Sequence, residues 1–344
     1  MTVSNAYNRP DQLSAALRER IFEVAGRLGY AGPDPVARSL RRMRTNVAGV
    51  LYSNPLSYAF DDAAAVLFLR GVTAATEASG MGLLLVPGSM GAPGERGSAA
   101  GAAAVDGFVV YSMADDDPLV EAALRRRLPV VTVDQPLLEG VPFIGIDDEA
   151  AARVAAEHLV GIGHERYGVS SFALATGGRS GIADAARQGS ATYRVTRSRL
   201  EGYAAALSEG GLSWEDVPVY ESPGSTKALG RAAGRALLAL DPRPTAILAT
   251  SDQLALGAIE AAGEMGLSVP DDVSVVGFDD VPLAASAAPG LTTVYQDHAQ
   301  KGLLAGRLLV ARLGGEEAPS PDLLPARLVI RGSTGRPGRG RRGR

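Results

Sequence analysis

The chain has 344 residues, a formal net charge of −4 and a hydrophobic share of 46%, which is enough for two cored units and excludes a disordered chain. Cysteine is absent, which excludes disulfides, thiolate metal sites and thiol nucleophiles and fits a reducing, cytoplasmic setting. The front lacks the apolar core of a signal peptide, and no apolar run reaches the roughly 18 residues of a membrane helix, so no membrane partner is expected. In chain order, "SAALRERIFEVAGRLGY" comes first. Leu17, Ile21, Val24 and Leu28 follow helical spacing, with Ser14 as N-cap and Gly29 as stop. "PDPVARSLRRMRT" then reads as a short basic connector carrying Arg38, Arg41, Arg42 and Arg44. From residue 46 apolar runs alternate with amphipathic stretches. The strand candidates are 47–52, 82–86, 107–111, 129–133, 143–146, 167–174, 217–220, 245–250, 273–278, 291–295 and 327–332. Helix patterns lie between them, over 65–79, after Asp147 or Asp148, from Ser198 and from Ser251. The tail "GRPGRGRRGR" predicts a disordered basic end.

Continuous apolar strands alternating with helices predict an α/β fold with doubly wound parallel sheets. About ten such strands exceed one modest sheet and suit two lobes facing each other across a cleft. Ligands bind such sheets at the carboxyl ends of their strands. No internal sequence repeat is visible. Several chemistries find no support. His158 and His164 lack the spacing of a helical metal pair and His298 is remote, so no metal is expected. "GSTK" at 224–227 has phosphate-loop letters in the wrong order, and no nucleophile elbow is present, so neither a cofactor nor an enzyme is expected. By residue type alone, Asp279 reads as a helix or turn cap and Arg199 as one half of a surface ion pair.

Ordered motifs say more. "TVSNAYN", "LRERIFEVAGRLGY" and "DPVARSLR" resemble the DNA-binding headpiece and hinge of the lactose/galactose-repressor (LacI/GalR) family. "VDQP", "IGIDDEAAARVAAEHLVGIGHERYG", "RLEGYAAAL", "ATSDQLALGAIEAAGEMGLSVPDDVSVVGFDD" and "LTTVYQD" continue the match to about residue 333. The resemblance implies two periplasmic-binding-protein-like lobes behind a helical headpiece. It assigns 1–32 to the headpiece, 33–45 to the hinge, 46–147 plus 292–318 to one lobe, 148–291 plus 319–333 to the other, and 334–344 to the tail. It implies a ligand-responsive transcriptional regulator, a repressor that binds operator DNA as a homodimer and takes a sugar or nucleoside effector between its lobes. Thr2, Ser4 and Asn5 would meet DNA from the recognition helix. Leu40 would wedge into the minor groove beside Val36 and Ala37, with Arg38, Arg41 and Arg42 on phosphates. Arg199, Asp279, Asp134 and Ser251 would hold the effector, joined by Asn54, Tyr58 and Phe60. The segment 176–198 is longer than the family pattern. The family's first headpiece helix has no counterpart ahead of Thr2, which implies either a start upstream of Met1 or, with Met1 as the true start, impaired operator binding, and leaves the apolar face of 14–29 without its partner. A solute-binding protein of the same fold without specific DNA binding is the alternative. A nucleoid-associated cytoplasmic home follows from the regulator reading.

Overall fold

Apolar runs with no polar face must be covered on both sides, and the structure covers them with helices. The computed structural model describes residues 2–8, 10–30, 44–52, 56–88 and 97–338. The first sheet contains β1 (Val47–Tyr52), β2 (Gly82–Pro87), β3 (Gly107–Tyr111), β4 (Val130–Val133) and β5 (Phe143–Ile144) in the order β2-β1-β3-β4-β5, all parallel. The second contains β6 (Tyr167–Ser171), β7 (Gly181–Ile182), β8 (Val219–Glu221), β9 (Ala246–Ala249), β10 (Ser274–Asp279), β11 (Thr292–Tyr295) and β12 (Arg327–Val329). Its order is β12-β11-β10-β9-β6-β8-β7, with β7 and β12 antiparallel on the two edges. With those edges removed, β8-β6-β9-β10-β11 repeats the strand order of the first sheet. The fold therefore contains a repeat that the letters of the sequence hide.

Side chains alternate between two cores on each sheet, as strand geometry requires. In the first lobe Val50, Tyr52, Val109 and Tyr111 face the helices Ala63–Ala78 and His298–Leu313, with Phe68, Val72 and Leu309 packed on them. Leu51, Phe108 and Val110 face the other way, onto Ala100, Leu119 and Ala123. In the second lobe Val169, Leu248 and Phe278 pack under Asp148–Gly161 and Arg194–Glu209, while Ile247, Ala249 and Val275 pack under Lys227–Leu238 and Asp252–Glu264. The helix pairs approach closely. A Cβ on Gly71 would stand 2.0 Å from the Ala299 carbonyl oxygen, so any larger residue there forces Ala63–Ala78 away from His298–Leu313.

Three sequence expectations change. Residues 292–295 belong to the second sheet as β11, and the chain returns to the first lobe only with His298–Leu313. Residues 334–338 are laid along the second lobe, where Thr334 bonds His158 and Thr292, and Gly335 bonds Ser274 and His164. The helix expected to start at Ser198 begins at Arg194, after a Tyr193 N-cap whose side chain does not cap the helix.

At the front, the helix Thr2–Asn8, the turn Pro10–Gln12 and the helix Ala15–Arg27 form a small headpiece. Tyr7 meets Phe22 edge-on at 5.0 Å and Tyr30 at 6.0 Å. Leu17, Val24 and Leu28 stay exposed along a groove shared with Val3 and Ile21. Arg44 donates to the Leu313 carbonyl, and Thr45 and Asn46 bond the Asp106 carboxylate, which ties the incoming chain to the first lobe.

Candidate effector cleft

The carboxyl ends of strands from both sheets converge on one cleft of about 840 Å³, its mouth included. Tyr52 ends β1, Tyr111 ends β3, Asp134 and Gln135 follow β4, and Phe172 follows β6. Gly224 and Ser225 follow β8, Ser251 follows β9, Asp279 ends β10, and Gln296 and His298 follow β11. Asp62, Tyr193, Val195 and Arg199 complete much of the lining. Loops at these strand ends are where a doubly wound sheet presents its polar groups.

Two of the carboxylates occupy matching places. Asp134 follows the fourth strand of one lobe and Asp279 ends the fourth parallel strand of the other. Both have left-handed backbone, with φ of 63° and 118°. Such conformations cost a non-glycine residue energy and are held by their surroundings. Here the hold is a buried polar chain. The fully buried Lys301 ammonium donates to Asp134 Oδ1 and to Gln296 Oε1, and Gln296 Nε2 donates to Asp279 Oδ1 at 2.7 Å. Asp279 Oδ1 lies 3.9 Å from Arg199 Nη1 and 3.5 Å from His298 Nε2. Burial pushes the Asp279 carboxyl up, but His298, Arg199 and Gln296 outweigh it and hold it below the usual carboxylate range.

Arg199 is buried rather than on the surface. Nε donates to Asp148 Oδ1 at 2.9 Å, Nη1 donates to the Thr250 carbonyl at 2.6 Å, and the guanidinium lies 3.5 Å from the Phe278 ring centroid. These contacts fix its plane and leave other guanidinium donors available. Burial raises the Asp148 carboxyl, with Arg199 and Lys301 opposing. Asp62 caps Ala63–Ala78 by accepting from the Ala64 amide. Burial, then the Asp279 charge, push its carboxyl up to about 6. Ser251 caps Asp252–Glu264 and shares a 2.6 Å bond with Ser225. Tyr52 stacks on Tyr111, and Tyr111 on Phe68, as an aromatic wall.

The segment after β6 reaches across the cleft. Val195 N–H donates to Gln135 Oε1 at 2.8 Å, and Arg197 lies 3.8 Å from the Asp115 carboxylate. Glu221 anchors its base, accepting from Leu174 and Arg179 amides and from both Nε and Nη2 of Arg187.

Of the residues expected at the effector, Arg199, Asp279, Asp134 and Ser251 come together in this cleft. Phe60 does not. It sits on the helix Leu56–Asp61, 65% exposed and away from the lining, because that helix turns the side chain to solvent. Tyr58 lies on the same helix, and Asn54 lies outside the described residues. Sequence reading missed Asp62, Gln135, Tyr193, Gln296 and His298. In 224–227, set aside only as a phosphate loop, Gly224 and Ser225 face the cleft and Thr226 caps Lys227–Leu238. Among the described residues no cluster of His, Asp and Glu could hold a metal ion.

Residues 156–334 match the family described as a periplasmic binding protein-like domain. HTH-type transcriptional regulator Rv3575c of Mycobacterium tuberculosis is 46% identical over 90% of this chain and 86% of its own. A LacI-family transcriptional regulator from Corynebacterium glutamicum superposes with TM-score 0.77 at 35% identity, over 97% of this chain and 94% of that one. The chain belongs to the LacI family of transcriptional regulators. The transcriptional regulator CelR, solved as a cellobiose complex, superposes with TM-score 0.71 at 30% identity over 96% and 94% of the two chains. The lac repressor dimer, solved on operator DNA, superposes with TM-score 0.77 at 25% identity over 97% and 94%. As a LacI-family member the chain is a regulator and not an enzyme. Thr2, Ser4 and Asn5 of its headpiece share the helix Thr2–Asn8, and Asn5 bonds Gln12. Val36, Ala37, Arg38, Leu40 and Arg41 of the expected hinge lie outside the described residues. Among the described residues no helix is long and apolar enough to cross a membrane.

Proposed function

We propose that this LacI-family regulator is a cytoplasmic, nucleoid-associated repressor that binds operator DNA as a homodimer and is controlled by a sugar or nucleoside held between its lobes. The observation that carries the reading is the convergence of Arg199, Asp279, Asp134 and Ser251 at the carboxyl ends of both sheets. An arginine fork and carboxylates suit neighbouring hydroxyls, and aromatic rings suit the apolar face of a sugar. The cellobiose complex of CelR and the operator complex of the lac repressor dimer support the two ligands. Relatives that are HTH-type regulators over nine-tenths of the chain favour this over a solute-binding protein. We assign 1–32 to the headpiece and 33–45 to the hinge, 46–147 with 297–318 to the first lobe, and 148–296 with 319–338 to the second. Thr2, Ser4 and Asn5 meet DNA, Leu40 is the wedge with Val36 and Ala37 beside it, and Arg38 and Arg41 take phosphates. The effector must bind one lobe arrangement better than the other, because otherwise it shifts nothing.

The test is a thermal-shift screen of sugars and nucleosides against the wild-type chain and Asp279→Ala. A true effector stabilises the wild type and loses about 10- to 100-fold in affinity for the variant. A hit that stabilises both equally removes the cleft assignment.

A further inference from the structure

Resting on the cleft as the effector site, we infer that the ligand is an uncharged polyol held between Asp279 and His298, and that its phosphorylated or carboxylated derivatives are refused. Charge pairing is the first ground. The two strong cations of the site are already matched, Arg199 by Asp148 and Lys301 by Asp134. Asp62 and Asp279 add two more carboxylates at the lining, Asp279 sharing Arg199 at 3.9 Å with His298 beside it. The carboxylates of Asp62, Asp134, Asp148 and Asp279 outnumber the Arg199 and Lys301 cations, so an anionic group would enter a cleft of negative balance.

Of the helix starts near the cleft, three are closed to it, and at Arg194–Glu209, where no side chain caps the helix, Gln135 Oε1 takes the Val195 amide. A helix N-terminus is a ready anion site only while its amides are open. Here Asp62 fills the start of Ala63–Ala78 and Asp297 the start of His298–Leu313, each accepting from a first-turn amide. At Asp252–Glu264 the Ser251 hydroxyl takes the Leu254 amide, and Asp252 puts its own carboxylate in the first turn.

His298 points to what the site does take. The side chain is 4% exposed and lines the cleft, yet neither Nδ1 nor Nε2 has a hydrogen-bond partner. At 3.5 Å, Asp279 Oδ1 is too distant for a good bond to the ring. A buried polar group left unpaired is unfavourable until a partner reaches it. A hydroxyl can satisfy an imidazole nitrogen as donor or acceptor, and at the same time donate to the Asp279 carboxylate. The stacked Tyr52 and Tyr111 rings offer the apolar wall that a sugar's C–H face needs.

The experiment is calorimetric titration of the full chain with paired probes. Ribose is set against ribose 5-phosphate, glucose against glucose 6-phosphate and glucuronate, adenosine against adenosine 5′-monophosphate, with cellobiose alone. A neutral probe should bind, with its charged partner about 100-fold weaker or worse, since like charges are brought together. His298→Phe keeps the ring and should weaken the neutral probe about tenfold. Asp62→Asn keeps a good cap and should narrow the gap between paired probes about tenfold. A charged probe that binds as tightly as its neutral partner, yet is lost in Asp279→Ala, overturns the inference and leaves the cleft reading standing. Silence from every neutral probe also overturns it. A neutral probe that binds Asp279→Ala unchanged overturns the cleft reading, and the inference with it.

Discussion

At the scale of single residues the cleft combines charges whose partners come from distant parts of the chain. Lys301 and Asp134 are 167 residues apart and meet in the buried chain that continues through Gln296 to Asp279. Asp62 gives a pH test. Its carboxyl is raised to about 6 in the folded protein and sits near 3.8 when unfolded. The folded state therefore holds the proton more firmly, and the stability this gives is lost as pH rises from about 3.8 through about 6. Asp62→Asn keeps the cap without the charge. Its melting temperature relative to wild type should rise as pH increases from about 4 to about 6 and stay level below and well above that range, in paired melts. A difference that is flat or falls with pH contradicts the assignment. Asp134, Asp279, Arg199 and Ser251 were legible because each sits in a short recognisable run of letters. Lys301, Gln296 and His298 were not, since their role depends on a chain crossing that brings the end of β11 to the end of β4. Phe60 misled for a different reason: aromatic type indicates affinity for a sugar face but not which way a helix turns it.

At the scale of elements, strands were read well because burial on both faces leaves an unbroken apolar run, as in Val47–Tyr52 and Gly107–Tyr111. Their ends were read less well, and the two-residue β7 carries no such run. The start of Arg194–Glu209 was hidden because the Tyr193 side chain at its N-cap position does not cap the helix. The segment leading into that helix depends on Glu221. Burial pushes the Glu221 carboxyl up, but Arg187 and the Leu174 and Arg179 amides outweigh this and lower it. Glu221→Gln should leave the Arg187 guanidinium and the loop amides poorly matched, at a cost of about 3 kcal/mol. Limited proteolysis should then cut within 176–192 while the lobes stay folded, and denaturant melts should report the loss. Unchanged resistance of 176–192 would show that the segment is held by other contacts.

At the scale of the whole molecule the two lobes share one strand order, and the matched acids Asp134 and Asp279 stand at equivalent strand ends. No alternation of letters announces that repeat, because the lobes need the same geometry and not the same residues. The path of the chain has its own outcome. After β11 it leaves the second sheet to lay His298–Leu313 over the first, then goes back to add β12. Residues 46–146 expressed alone would lack that helix, leaving Phe68 and Val72 uncovered beside Gly71. Such a fragment should bind hydrophobic dyes and melt without a cooperative transition, whereas 46–338 should melt as one unit. Neither half can be released whole by a single scission, so a nick between them disables both together instead of freeing a working piece.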